Sequence, residues 1–393
     1  MEQNILQPAV RPEPDAPSET VRMKASYNRA GLGLTALYGV LQGLSSVVLM
    51  IGIVILALIL IVPRLETLQS GFRFGGLAGV MDFMRNEGVM GWVIAFYVIA
   101  MAAGMTGGIL IQRLICRKEG AIEQKTLSAG SFLKIVLFAY GLWGIGVLLG
   151  NFPDFFGAEE KGMLDQLLDG LKWEALPMYL YVVIGAPFFE ELACRKILLD
   201  RLHPYGEGFA AAASGLLFGI LHGNSAQFFL AFLLGCLFAM VYLRTGKVIY
   251  TMILHAIINL TATVPDLLKL AGVDIGDIWM EYVIMGLGTI GCIVLLIKRK
   301  DPLLHPERTS IPDAAAAAWK NAGMRICRIA GLVLILAYDL AMMGISLISS
   351  GSMFPLLRLI PASLAVILIL LLPKWTKRYE QTIPEQEPEA LNG

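Results

Sequence analysis

Three short groups of polar residues sit inside stretches that are otherwise apolar. They are Gly185-Ala-Pro-Phe-Phe-Glu190-Glu191-Leu-Ala-Cys-Arg195, Phe218-Gly-Ile-Leu-His222 and His255-Ala-Ile-Ile-Asn259. An ionisable residue within a membrane span costs about 2.5–3.5 kcal/mol on insertion scales, so its presence there points to function by default. On a helix Glu191 and Arg195 stand at i,i+4 and pair on one face. Glu190 is turned by about 100° from Glu191 and faces elsewhere. One carboxylate is then held by an arginine and the other is left to act. Pro187 removes a backbone donor and frees the carbonyl of Val183, which favours a kink beside the acidic pair. The plain alternative is an interfacial Glu–Arg pair near a helix end.

In the second group the i,i+4 spacing stacks Phe218 under His222, where the ring restricts the imidazole. Gly215, Gly219 and Gly223 form a small-xxx-small stripe that lets two helix backbones approach, a packing device rather than a catalytic one. In the third group His255 and Asn259 point the same way within one turn. Two neutral donors on one face suit a carbonyl oxygen that is becoming negative. They equally suit hydrogen bonding between membrane helices. The chain has only four histidines, and two of them lie in these apolar segments with an i,i+4 partner. The three groups fall within about 70 residues, close enough in sequence to pack as neighbours.

Glu-Glu-x-x-x-Arg at 190–195, Phe-x-x-x-His at 218–222 and His-x-x-x-Asn at 255–259, in this order and spacing, resemble the signature motifs of the CPBP family of intramembrane proteases. That family includes the type II CAAX prenyl endopeptidases and bacterial relatives, some linked to bacteriocin immunity. The resemblance covers roughly residues 175–265 and implies an intramembrane endopeptidase. It implies Glu190 as the general base that activates water, His222 as an aid in positioning that water, and His255 with Asn259 as the oxyanion hole. Glu191, Arg195 and Phe218 support the site. A carboxylate in a low-dielectric cavity suits a general base working near neutral pH.

Members of the family are often labelled metalloproteases. If zinc binds here, Glu190, His222 and His255 are the candidate ligands. The chain has no His-Glu-x-x-His on one helix, and asparagine is an unusual zinc ligand. Glutamate-activated water without a metal or other cofactor is therefore the favoured expectation. The implied substrate is a membrane-associated or membrane-embedded peptide or protein, cut in or near the bilayer. A CAAX-like C-terminal segment is one form it takes in the family. The rival from another class is a catalytically silent immunity or scaffold protein that binds a peptide in the same cavity. A transporter is a third reading, since intramembrane carboxylates also mark ion pathways, but the matching broken helices of many transporters are absent from the sequence.

The elements that position these groups are membrane spans. Of 393 residues 56% are hydrophobic and 16% charged, with mean hydropathy +0.68, against about half apolar and a quarter charged in a soluble domain. The pattern predicts an all-α, polytopic transmembrane helical bundle of about ten spans with a central catalytic helix group. The predicted spans are 36–62, 89–112, 128–150, 176–199, 208–223, 225–243, 248–264, 279–297, 328–349 and 353–373. The fifth and sixth are short and divided only by Gly223-Asn224-Ser225, so one of them is a candidate re-entrant segment. The organisation reads as a disordered cytoplasmic tail (1–30), N-terminal spans (31–173), a CPBP-like catalytic core (174–265), C-terminal spans (266–378) and a disordered tail (379–393). Residues 66–86 read as interfacial or loop-like. In the connection 301–327 a short interfacial helix follows Asp313 as its N-cap.

Basic clusters at Arg113/Arg117/Lys118, Arg195/Lys196/Arg201, Arg244/Lys247, Lys298–Lys300, Arg325/Arg328 and Lys374/Lys377/Arg378 alternate with acidic loops. The acidic loops are Asp154–Asp169 and Asp266–Glu281. The positive-inside rule then places both termini in the cytoplasm, with the plasma membrane as the expected location. Residues 1–30 lack the layout of a cleavable signal peptide, so the first apolar block reads as a retained anchor. With 31 basic and 31 acidic residues and no basic patch with interleaved aromatics, nucleic acid is not an expected partner; the lipid bilayer is. The five cysteines show no CxxC pairing and read as small buried hydrophobes. Asp339 and Arg358 are expected to pair across the last hairpin, and His203 and His305 to be solvated. Asn224 and Gln227 are weaker candidates for lining the cavity.

Overall fold

In the computed structural model the described residues are 19–116, 122–150, 173–275, 279, 282–305, 314–350 and 359–381. Among these the regular structure is helical throughout, with no strand. The long elements are α1 (Glu19–Leu56, extended by a π turn Ala57–Ile61), α2 (Leu65–Asn86), α3 (Val89–Ile115) and α4 (Ala129–Gly150). Helix α5 (176–202) is a composite of short α pieces interrupted by two π segments, Tyr181–Gly185 and Leu192–Ile197. Then come α6 (Glu207–Leu221), α7 (Ser225–Thr245), α8 (Val248–Leu270), α9 (Thr289–Ile297), α10 (Ala314–Lys320), α11 (Ala322–Ser350) and α12 (Leu359–Gln381).

Among the described residues six helices are long and apolar enough to cross a membrane: Lys24–Ser70, Val89–Ile115, Ala129–Gly150, Ser225–Thr245, Val248–Leu270 and Leu359–Lys377. This makes an integral membrane protein, while the expected count of about ten spans is not confirmed. Helix α6 has 15 residues, about 22 Å of rise against a hydrocarbon core of about 30 Å. Helix α5 is broken into pieces none of which spans alone.

Helix α7 is the hub. In its most apolar window 72% is buried inside the protein, against 11% for α1, because α4, α6, α8 and α12 all pack on it. The α6–α7 hairpin is tight because its contact face lacks side chains. A Cβ on Gly215 would lie 2.4 Å from Cys236 Sγ and 2.9 Å from the Cys236 backbone nitrogen. One on Gly219 would lie 3.0 Å from the Phe228 carbonyl. The glycine stripe therefore serves helix packing. Gly223 instead turns the chain, with φ at +72° and open space around it. Asn224 then caps α7 by accepting a hydrogen bond from Gln227 N at 2.9 Å, while its Nδ2 donates to the His222 carbonyl at 2.8 Å. Asn224 thus shapes the turn after His222.

Some expectations need correction. Residues 19–30, read as part of a disordered tail, are the first turns of α1, with Ser26, Tyr27 and Ala30 buried. Tyr27 meets Phe209 edge-on at 5.1 Å, and Arg201 Nε donates to the Ser26 carbonyl at 3.1 Å. This tertiary anchoring is invisible in the local composition. Residues 66–86 are helical rather than loop-like. The second tail begins inside α12, which runs to Gln381. The Asp313 cap, Arg358 with its expected partnership to Asp339, residues 1–18 and 382–393, the acidic loop Asp154–Asp169, and Asp277 with Glu281 lie outside the described residues.

Candidate active site

The two adjacent carboxylates of α5 have opposite surroundings. Glu191 is fully buried. Its Oε2 lies 3.1 Å from Arg195 Nε, and its Oε1 accepts from His255 Nδ1 at 3.1 Å. Thr251, one turn ahead of His255 on α8 and also fully buried, stands near the same carboxylate, with its hydroxyl donating to the Val248 carbonyl at 2.9 Å. Glu190 is half-buried and makes no hydrogen bond or ion pair among the described residues. The rotation between successive helical positions separates the two.

Arg195 is itself completely buried. Its guanidinium carbon stands 4.5 Å from the centroid of Phe218 and 5.5 Å from that of Phe238. The contact with Glu191 is close in distance but not aligned as a hydrogen bond, and Nη1 has no hydrogen-bond partner. Nη2 donates to the Gly235 carbonyl at 3.4 Å, and the cation is otherwise held by Coulomb attraction and by two aromatic faces.

Phe218 joins all three motifs. Its ring meets His222 edge-on at 5.1 Å and His255 edge-on at 5.4 Å, besides carrying Arg195. Phe238 on α7 packs against the other side of His255 at 5.7 Å. His222 closes α6, and its Nδ1 donates to the Phe218 carbonyl at 2.8 Å. Both imidazoles thus spend Nδ1–H on protein acceptors, which leaves each Nε2 as the nitrogen available for chemistry.

Asn259 is placed by the backbone of α5. Its Nδ2 donates to the Val182 carbonyl at 2.8 Å. In the π segment Tyr181–Gly185 the amide of Ala186 bonds back to the carbonyl of Tyr181, five residues earlier. The next bond in that ladder would run from residue 187 to Val182, and residue 187 is a proline without N–H. Pro187 therefore frees the carbonyl of Val182, not that of Val183, because the local period is π rather than α. The second π segment repeats the device. Gln112 Nε2 donates to the Ala193 carbonyl at 3.2 Å and Ser214 Oγ to the Cys194 carbonyl at 2.9 Å. Single-turn π segments inside helices frequently mark functional sites.

Glu191, Arg195, Phe218, His222 and His255 are thus linked by direct contacts, and Asn259 joins them through Val182. Glu190 shares the helix but makes no direct hydrogen bond or ion pair to His222, His255 or Asn259. Four contributors were missed in the sequence: Thr251, Phe238, Gln112 and Ser214. Only Thr251 carried a signal, standing at i,i+4 from His255 on the same face. His203 is half-buried with Nδ1 against the Leu199 carbonyl, and His305 is exposed with Nε2 against the Arg299 carbonyl. Neither belongs to the site.

The donors suggested for zinc do not converge. Among the described residues no group of three or more His, Cys, Asp or Glu side chains is arranged to hold a metal ion. Glu191, the carboxylate that does touch a histidine, is already neutralised by Arg195. The metalloprotease label finds no support in the arrangement of these residues.

Fold and site together define an integral membrane protein with a polar network buried among its helices. Residues 172–261 match the family model described as type II CAAX prenyl endopeptidase Rce1-like. That segment contains all three motifs, and over its length the chain is similar to that family. No curated protein and no solved structure matches the chain.

Proposed function

We propose that this protein is an intramembrane endopeptidase that hydrolyses a peptide bond in or near the bilayer with water activated by Glu190. The observation that carries the reading is the division of labour between neighbouring carboxylates: Glu191 is consumed by Arg195 and His255, whereas Glu190 makes no hydrogen bond or ion pair among the described residues. A general base needs that freedom to take a proton from water.

His222 presents Nε2 and serves as an acceptor that orients the attacking water. His255 donates Nδ1–H to Glu191, so it offers Nε2–H to an oxyanion only as the imidazolium, whose charge Glu191 balances. The Asn259 amide uses one N–H on Val182 and keeps a second for the developing negative oxygen. No metal or other cofactor enters this scheme. The substrate is a membrane-associated or membrane-embedded peptide or protein. The enzyme works in the plasma membrane with both termini in the cytoplasm, as the alternation of basic and acidic loops supports.

The test compares the membrane proteome of cells expressing the wild type with that of cells expressing Glu190→Gln at equal abundance. Peptides ending at new cleavage sites in the wild type alone support the proposal. Identical termini in the two samples would sink it.

A further inference from the structure

Three lysines from three different helices meet at one edge of the bundle. Lys24 on α1, Lys320 at the end of α10 and Lys377 on α12 line an open groove of about 480 Å³. Asn28 and Asn321 complete its polar lining and hydrogen-bond each other. No carboxylate lines it among the described residues.

The cluster is held in place rather than carried on loose ends. Trp319, buried beside Lys320, donates its indole N–H to Thr376 Oγ1 at 2.7 Å and meets Phe209 edge-on at 5.1 Å. Arg325 Nε donates to the Lys320 carbonyl at 2.7 Å, and Arg328 to the Trp319 carbonyl at 3.2 Å. These bonds serve the open C-terminal carbonyls of α10 and fix the short helix against its neighbours. Like charges gathered in a cleft repel one another and focus a positive potential, which an anion relieves.

The depth of the groove identifies the anion. Lys24 lies in the polar first turns of α1, ahead of its apolar stretch, and Lys377 in the polar last turns of α12, behind the apolar run that ends at Leu372, so the groove lies where hydrocarbon gives way to headgroups. Trp375, 54% exposed beside it, is the residue type that favours this level. We propose that this groove binds the headgroup of an anionic phospholipid, with the phosphodiester among the three ammonium groups and the paired asparagines beneath it. Basic pockets between membrane helices hold such headgroups. A zwitterionic lipid carries the same phosphate, but its cationic group is repelled by the lysines. The inference is independent of the peptidase reading.

The full chain, purified in neutral detergent, is titrated with phosphatidylglycerol, phosphatidylcholine or inorganic phosphate. Bound lipid is counted by native mass spectrometry and the melting temperature is followed. Phosphatidylglycerol should bind more tightly than phosphatidylcholine and raise the melting temperature. Lys320→Gln should weaken phosphatidylglycerol roughly fivefold, and Lys24→Gln/Lys320→Gln/Lys377→Gln should erase the preference while helical circular dichroism is kept. Lys298→Gln/Lys300→Gln, outside the groove, should leave the preference intact. Equal binding of both lipids, or a preference that survives the triple substitution, would overturn the proposal. So would an equal loss from the outer pair. Inorganic phosphate binding as tightly as phosphatidylglycerol would mark a site for a free anion instead of a lipid.

Discussion

Asn259 donates its side-chain amide to the carbonyl of Val182, the carbonyl that Pro187 leaves without a donor. The proline and the asparagine are therefore energetically coupled, although 72 positions separate them in the numbering of the chain. Asn259→Ala orphans the carbonyl and should cost about 1–3 kcal/mol. Pro187→Ala returns a backbone N–H within reach. In the double variant part of the stability lost in Asn259→Ala should come back, while cleavage should not, since the second amide proton is still missing. Denaturant unfolding of all four proteins in micelles measures the coupling. Strict additivity of the two single substitutions would refute this account.

The close approach of α6 to α7 makes a second prediction. Gly215→Ala drives a methyl group into Cys236 Sγ and, behind it, into backbone that does not yield. It should destabilise by about 1–3 kcal/mol and separate Phe218 from Phe238. Gly43→Ala meets nothing within 4 Å on α1 and should stabilise by up to about 1 kcal/mol. Melting temperatures that move the same way in both variants would contradict the packing role of Gly215.

Much of this site was legible before any coordinates. Glu191–Arg195, Phe218–His222 and His255–Asn259 are i,i+4 pairs, and such pairs depend only on helical period. The contact between Glu191 and His255 joins residues 64 apart and follows from the packing of α8 on α5, which no local pattern encodes. The same holds for Phe238, one of many apolar residues on α7 until its ring is seen against both Arg195 and His255. The π segments were misread for a different reason. Their residues are ordinary helix formers, so a count at period 3.6 freed Val183 where the real register frees Val182. Helix α1 began later in the sequence reading than in the structure because its first turns are polar outside and are stabilised by Arg201 and Phe209.

Outside the membrane, Asp301 links the end of α9 to α4. Burial works to raise its carboxyl. Hydrogen bonds from Lys134 and from the Leu303 amide, together with the nearby Lys134 and Lys298 charges, outweigh it and hold the group below its ordinary 3.8. The folded value is depressed, so its contribution is present above 3.8 and is lost as pH falls through the lower folded value. Asp301→Asn should cost less than about 1 kcal/mol at pH 7. The gap between wild type and variant should narrow below pH 4, as read from melting in micelles at pH 7, 5, 4 and 3. A gap of constant size would show that the carboxylate charge is not the source.

Zinc addresses the chemistry directly. Its proposed ligands Glu190, His222 and His255 do not gather into a three-donor group. Peptide cleavage by the purified protein should therefore persist in excess chelator, and elemental analysis should find far less than one zinc per chain. Stoichiometric zinc, with activity lost on chelation and restored by zinc alone, would establish the opposite mechanism.

The unequal fates of Glu190 and Glu191 give the sharpest comparison, because the two substitutions are chemically identical and one residue apart. Glu191→Gln strips the counter-charge from Arg195, which is fully buried and has no other ion-pair partner among the described residues. An uncompensated charge of this kind should cost about 3–5 kcal/mol. Glu191→Gln/Arg195→Gln removes both charges and should regain much of that loss. Glu190→Gln breaks no hydrogen bond or ion pair among the described residues, and its stability should stay within about 0.5 kcal/mol of wild type, while peptide cleavage should be abolished. Unfolding and cleavage measured on the same preparations separate the two roles. If Glu190→Gln destabilises the protein as much as Glu191→Gln does, Glu190 is a structural carboxylate, and the base that activates water must be sought elsewhere.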